Sequence, residues 1–259
     1  MTSRDKKGRA AVPALTNKPG PLVTRSTVPA DQKFTEYRQY LRHDFLYSCG
    51  YCTISEAEAQ ALRFTIDHYE PRGARPDLEH EYSNLMYSCD QCNTLKGDRC
   101  PPASARADNY RFFRPDQDVY QEHFHTNGIR LESTSNVGYY SIEALDLNRL
   151  ALRRLREIRE RLTKCDRLVT EGVFGLRNSH IDNLPQSIKG KALRAISRAT
   201  DIANRIPDEI DALLREHARS PLVDPDPEAA SRAEERASKL EGLQNLHPGR
   251  WRAPRKSRP

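Results

Sequence analysis

The chain has 259 residues, 30% of them charged and 37% hydrophobic, with 17 prolines and 12 glycines. That length suits one domain, or one domain with a small helical annex. No run approaches the roughly 18 consecutive apolar residues of a membrane span, and the stretch from Met1 to Lys18 lacks the apolar segment of a secretory signal, so membrane insertion and export are disfavoured and a cytoplasmic protein is expected.

The formal net charge is +6, from 42 basic and 36 acidic residues. Residues 1–30 carry Arg4, Lys6, Lys7, Arg9, Lys18 and Arg25 against Asp5, and residues 248–259 carry Arg250, Arg252, Arg255, Lys256 and Arg258 with no acid. Removing these 11 basic residues and one acid leaves 31 against 35, so the body from 31 to 247 is about −4. Both ends are rich in Pro, Gly, Ser and Thr, which predicts disordered basic tails at 1–30 and 248–259. Such tails attract phosphate through charge alone; the alternative is a solubilising terminus.

In chain order, Phe34, Tyr37, Leu41 and Phe45 recur at helical spacing and predict a helix over 31–47. Cys49-Gly-Tyr-Cys52 follows, then Ser55 with Glu58 three residues on, a capping box that opens a short helix. Residues 63–69 favour a strand ended by Pro71, with a turn over 72–79. Cys89-Asp-Gln-Cys92 opens a helix closing near Gly97. Asn127-Gly128 between short β-like runs in 120–131 signals a hairpin. From Ile142 to about Thr170, Ala151, Leu155, Ile158, Leu162, Cys165 and Val169 predict one long helix, flanked by Arg149, Arg153, Arg154, Arg156, Arg159, Arg161 and Arg167. A mixed charged face of that kind is normally solvated, with nucleic-acid contact as the alternative. Two or three further helices are expected in 187–246, separated at Pro207 and at the Pro-rich stretch 221–227.

Four of the six cysteines fall in the two CxxC pairs; Cys100 and Cys165 stand alone. Without an export signal, disulfides are disfavoured. Two such pairs brought together supply four thiolates in a tetrahedron, a structural Zn²⁺ site with no open position for chemistry. A thioredoxin-type redox pair is the alternative, but neither pair follows an apolar strand in that manner.

Between and beside the pairs stand Asp67-His68, Asn84 in Tyr-Ser-Asn-Leu, and Asn93 directly after Cys92 in CNTLKGD. In order and spacing, CGYC, IDHYEP, YSNLMYSC and CDQCNTLKGD resemble an HNH endonuclease of the ββα-metal (His-Me finger) class, with Asn in place of the last His. FFRPDQDVYQEHFHTNGIRL and YYSIEALDLNRLALRRLR extend the resemblance, over 34–162, to the small HNH nucleases found beside ATPases in Septu-type and retron anti-phage systems. The resemblance implies an α+β fold in which a zinc-stabilised ββα core at 31–141 is embedded in a mostly helical domain, with a helical region at 142–247. It also implies phosphodiester hydrolysis, DNA being the favoured substrate, and an ATPase or other subunit of a defence complex as partner.

The residue types support that chemistry. Hydrolysis needs a deprotonated, aligned water and positive charge on the phosphate oxygens. His68 titrates near neutrality and suits a general base. Asn84 could accept from one ring N–H and free the other nitrogen. Asp67, pointing to the opposite side of the strand from His68, and Asn93 would give oxygen ligands to one Mg²⁺ or Mn²⁺, leaving positions open for substrate. Lys96, one turn beyond Asn93, could pair with a phosphate. Individually, an Asp-His pair at a strand end is commonly a surface feature, and Asn84 could be a helix cap. The other histidines, His123 among them, are expected to be solvated or capping. The rival functional class is a non-catalytic zinc-knuckle module that binds nucleic acid or protein; a second alternative is a stand-alone restriction-like nuclease.

Overall fold

The computed structural model describes residues 20–59, 62–178, 185–218 and 224–254. Tyr37, Leu41 and Phe45 are buried along one face of a 3₁₀ turn (Phe34–Tyr37) continued by α1 (Arg38–Asp44). The Cys49–Cys52 knuckle follows, and the Gly50 N–H donates to the Tyr87 carbonyl at 2.8 Å, pinning the knuckle to the neighbouring strand. Ser55 and Glu58 form the expected capping box at the start of α2 (Glu56–Ala59): the Ser55 N–H donates to the Glu58 carboxylate (2.8 Å) and the Glu58 N–H to Ser55 Oγ (3.3 Å).

Strands β1 (Phe64–His68) and β2 (Leu85–Cys89) pair antiparallel, with Asp67 opposite Met86 and His68 opposite Leu85. Helix α3 (Asp90–Lys96) follows β2 directly and packs on both strands, completing a ββα unit. Gly97 ends α3 at φ 51°, a backbone angle that favours glycine.

Beyond α3, short helices α4 (Ala103–Ala107) and α5 (Tyr120–His123) lead into a hairpin of β3 (Phe124–Asn127) and β4 (Arg130–Ser133). Its register pairs Asn127 with Arg130, so the turn residues are Gly128 and Ile129, one place later than the Asn-Gly reading.

The single long helix expected from Ile142 is two helices, α6 (Asn136–Leu145) and α7 (Leu150–Asn178). Asp146 breaks them in a left-handed conformation (φ 48°, ψ 53°), stabilised by Arg232 at 2.8 Å. Asn148 holds the break by exchanging two 2.8 Å hydrogen bonds with the Leu131 backbone, an alternative to helical bonding. The expected boundary at 141/142 falls inside α6, whose residues Tyr140 to Leu145 are all buried.

Pro207 does not separate two helices either: α8 (Gln186–Ala218) runs through it. One backbone bond is lost there, and Ile206 (4% exposed) and Leu213 (0%), buried where α8 packs on α7, hold the run together. Helix α9 (Ala229–Leu246) returns to α6, where Arg236 donates to the Glu143 carbonyl at 2.6 Å and Lys239 pairs with Glu143 at 3.0 Å.

Neither expected tail is loose throughout. Val23 is buried and bonded to the Pro115 carbonyl, while Arg25 pairs with Asp116 at 2.7 Å and donates to the carbonyls of Tyr82 and Leu85. At the other end, Trp251 packs against the core and Ala253 is buried. One valine and one tryptophan outweigh the polar composition around them, because burial acts residue by residue. Residues 1–19 and 255–259 lie outside the described residues.

Candidate active site and zinc centre

Cys49 and Cys52 come from the knuckle after α1, Cys89 ends β2, and Cys92 lies in the first turn of α3. Their sulfurs all lie within 4.8 Å of one another, and Cys52 Sγ is 3.8 Å from Cys89 Sγ. A tetrahedron with Zn–S bonds of about 2.3 Å has edges of about 3.8 Å, so the four sulfurs fit Zn²⁺. Arg149, just before α7, reaches Cys92 Sγ at 3.6 Å. Burial disfavours its charge, but the sulfurs of Cys92, Cys52 and Cys89 outweigh burial and hold the guanidinium charged. It would offset part of the negative charge that four thiolates would bring to a bound divalent ion.

Asp67, His68 and Asn93 line one open cleft of about 320 Å³ together with Arg72, Gly73, Asp98 and Pro254. His68 is 8% exposed. Its Nε2 lies 2.9 Å from the Glu79 carbonyl, and the Phe34 ring meets it edge-on with centroids 5.0 Å apart. A carbonyl only accepts, so Nε2 carries the proton and Nδ1 is left with its lone pair. Burial lowers the His68 pKa from its ordinary value, partly offset by the Glu79 carbonyl, and the neutral ring is the form present at neutral pH.

Asn84 therefore does not hold His68 directly. Its Nδ2 donates to the carbonyls of Leu78 (3.2 Å) and Glu70 (3.1 Å), and its Oδ1 accepts from the Glu70 N–H (2.8 Å). Asn84 fixes the loop that carries Glu79, one step removed from the imidazole. The loop folds back across Asn84 and satisfies its amide before the ring could reach it.

Asp67 is 5% exposed and accepts from the Tyr51 hydroxyl at 2.6 Å and from Lys96 Nζ at 3.2 Å. Each carboxylate oxygen has two lone-pair directions, so capacity for a cation remains. Asn93 donates from Nδ2 to Thr65 Oγ1 at 2.9 Å, which leaves its amide oxygen for the cleft. Asp67 and Asn93 thus both bring oxygen donors to the lining of one cleft, the donor type that hard divalent ions take.

Lys96 departs from expectation. It is 0% exposed, lies over the Phe112 ring, and donates to Asp67 and, at 2.7 Å, to the His68 carbonyl. An ammonium enclosed in this way is an internal counter-ion of Asp67, with no surface left for a phosphate.

The arginines around α7 are also engaged within the protein. Arg153 pairs with Glu228, Arg154 with Asp224, Arg159 with Glu58 and Arg161 with Glu216, while Arg156 donates to the carbonyls of Ile129 and Leu147. His123 bonds Ser135 Oγ at 2.7 Å and takes no part in the cleft. Tyr51, Phe34 and Glu79 were missed in the sequence. Tyr51 lies inside CGYC, where its position between ligands was the available signal; Glu79 acts through its backbone and leaves none.

Residues 49–99 match the family model described as HNH endonuclease. The matched segment contains both CxxC pairs of the four-cysteine cluster, the cleft residues Asp67, His68 and Asn93, and Asn84, which fixes the loop behind His68. No curated protein and no solved structure matches the chain. The HNH segment implies nuclease activity and a nucleic-acid substrate, and HNH domains normally use a divalent metal. Among the described residues, no helix is long and apolar enough to cross a membrane.

Proposed function

We propose that the chain is a metal-dependent endonuclease in which His68 is the general base for phosphodiester hydrolysis. The observation that carries this is the His68 ring: buried beside the cleft, with Nε2 tied to the Glu79 carbonyl and Nδ1 left to take a proton. Asp67 and Asn93 would hold one Mg²⁺ or Mn²⁺, which when bound would neutralise charge on the phosphate and stabilise the leaving oxygen. Tyr51 and Lys96 fix the Asp67 carboxylate, Thr65 fixes the Asn93 amide, and Asn84 fixes the loop behind His68. The four cysteines would hold Zn²⁺ as a structural ion, because four sulfurs leave it no open position.

DNA is the favoured substrate. The narrower reading, a cytoplasmic effector of an anti-phage assembly working with an ATPase, rests on the sequence resemblance over 34–162. The test is to incubate purified protein, alone and with the product of a neighbouring gene, with plasmid and with RNA in Mg²⁺, in Mn²⁺ and in chelator. Cleavage confined to the metal-containing samples is the expected outcome. Binding of nucleic acid with no cleavage in any sample would favour the zinc-knuckle module instead.

A further inference from the structure

Tyr51 bridges the cysteine knuckle and the cleft. It precedes Cys52 in a turn whose backbone is held by three bonds: the Cys49 N–H donates to the Ile54 carbonyl (2.8 Å), the Thr53 N–H to the Cys49 carbonyl (2.9 Å) and the Gly50 N–H to the Tyr87 carbonyl (2.8 Å). The turn sits directly on the core, since a Cβ on Gly50 would lie 2.6 Å from the Phe45 ring. The Tyr51 side chain is itself 3% exposed and packs on the Phe112 ring with centroids 6.1 Å apart. A tyrosine has only two side-chain torsions. With the turn and the ring both held, the place of the hydroxyl follows from the shape of the knuckle.

That hydroxyl donates to Asp67 Oδ2 at 2.6 Å, within the short range of a hydrogen bond to a charged oxygen. The other side chain on the carboxylate is Lys96, the last residue of α3, at 3.2 Å from Oδ1 and 3.1 Å from Oδ2. Asp67 is therefore aimed from two directions, one of them the knuckle. Asn93, which brings the second oxygen to the cleft, directly follows Cys92 in α3 and has its amide held by Thr65. Each oxygen donor of the cleft is thus tied to a residue next to a cysteine of the cluster, Asp67 through Tyr51 beside Cys52 and Asn93 beside Cys92. A close-packed interior transmits small displacements, so the spacing of the four sulfurs reaches the cleft through one hydrogen bond on one side and one peptide link on the other.

We propose that the cysteine cluster and the cleft are coupled, with Tyr51 as the positioning residue through which the metal held by the cysteines sets the affinity of Asp67 and Asn93 for a divalent ion. The proposal rests on the nuclease reading for the ion in the cleft, but its test reads metal binding and not cleavage. The zinc-loaded full chain is titrated with Mn²⁺ and the free ion followed by electron paramagnetic resonance, with Asp67→Ala marking which bound Mn²⁺ belongs to the cleft. Tyr51→Phe keeps the ring and removes only the hydroxyl. It should retain its zinc and bind Mn²⁺ at least about tenfold more weakly, the scale on which partners of metal ligands act. A folded, zinc-loaded Tyr51→Phe chain that binds Mn²⁺ like the wild type overturns the proposal. Should that variant fail to fold or shed its zinc, the wild type with Cd²⁺ in place of zinc replaces it. Thiolates take this softer ion ahead of the oxygen donors of the cleft, and its larger size spreads the sulfurs and shifts the knuckle. A changed Mn²⁺ affinity then supports the coupling and an unchanged one overturns it. A wild type with no Mn²⁺ site that Asp67→Ala removes would overturn both the coupling and the metal assignment. A wild type that binds Mn²⁺ but cleaves nothing would defeat the nuclease reading while leaving these affinities readable.

Discussion

Burial decides what a charged side chain can do, and Lys96 shows it within one helical turn of Asn93. Spacing placed Lys96 near the site, but three residues along a helix fix the turn and leave the depth undetermined, which is why a phosphate contact and a buried counter-ion look alike in sequence. With its ammonium enclosed against Asp67, Lys96→Met would leave a buried carboxylate short of its cation. Breaking a buried pair from one side costs ~3–5 kcal/mol, and urea unfolding should show a loss of that order. Unchanged stability together with a reduced salt dependence of nucleic-acid binding would restore the phosphate role. That Asp67, His68 and Asn93 share one cleft was legible from their place in the motif. The direct partner of His68 was not, since a backbone carbonyl can come from any residue.

At the scale of elements, the apolar periodicity on both sides of Asp146 was real, yet it could not reveal the break. An Asp that tolerates the left-handed region and an Asn that pairs with a distant backbone are tertiary facts. The same junction depends on Asp226, which accepts from the Leu150 N–H at 2.9 Å and from Arg232 at 2.5 Å, joining the start of α7 to α9. Burial opposes ionisation of Asp226, but Arg232 and the N–H groups of Leu150 and Glu228 outweigh it and lower the carboxyl from 3.8 to about 2. A depressed carboxylate contributes stability that is complete above its unfolded value and disappears as the pH falls through its folded one. Asp226→Ala should therefore lower stability at neutral pH by about 2 kcal/mol, the scale of a hydrogen bond to a charged group. The variant and wild type should converge between about pH 4 and pH 2, as chemical denaturation across that window will show; a constant gap would place the effect elsewhere.

At the scale of the whole molecule, the four-cysteine cluster, positioned to bind zinc, joins the parts. Cys89 and Cys92 fix β2 to α3, Cys49 and Cys52 tie in the knuckle, and Arg149 brings the start of α7 to the sulfurs. Metal binding at such a site is folding free energy, so Cys92→Ser should release zinc and loosen the ββα unit, while the wild type holds about one zinc per chain through dialysis. Elemental analysis that finds no zinc, or a folded and active Cys92→Ser protein, would refute the assignment. The paired CxxC spacing made this centre readable from the sequence. The packed ends were hidden, because composition averages over the single residues, Val23 and Trp251, that anchor them.

The central claim is that His68 supplies the base while the zinc centre supplies the fold, and one comparison tests it most directly. Metal-dependent cleavage by wild type and by His68→Ala is measured on the same substrate, with zinc content and thermal melting recorded for both. The account predicts a rate lower by at least ~10² to 10⁴ in the variant, the contribution of a positioned general base, with zinc content unchanged and melting nearly so. Near-wild-type cleavage by His68→Ala would contradict it.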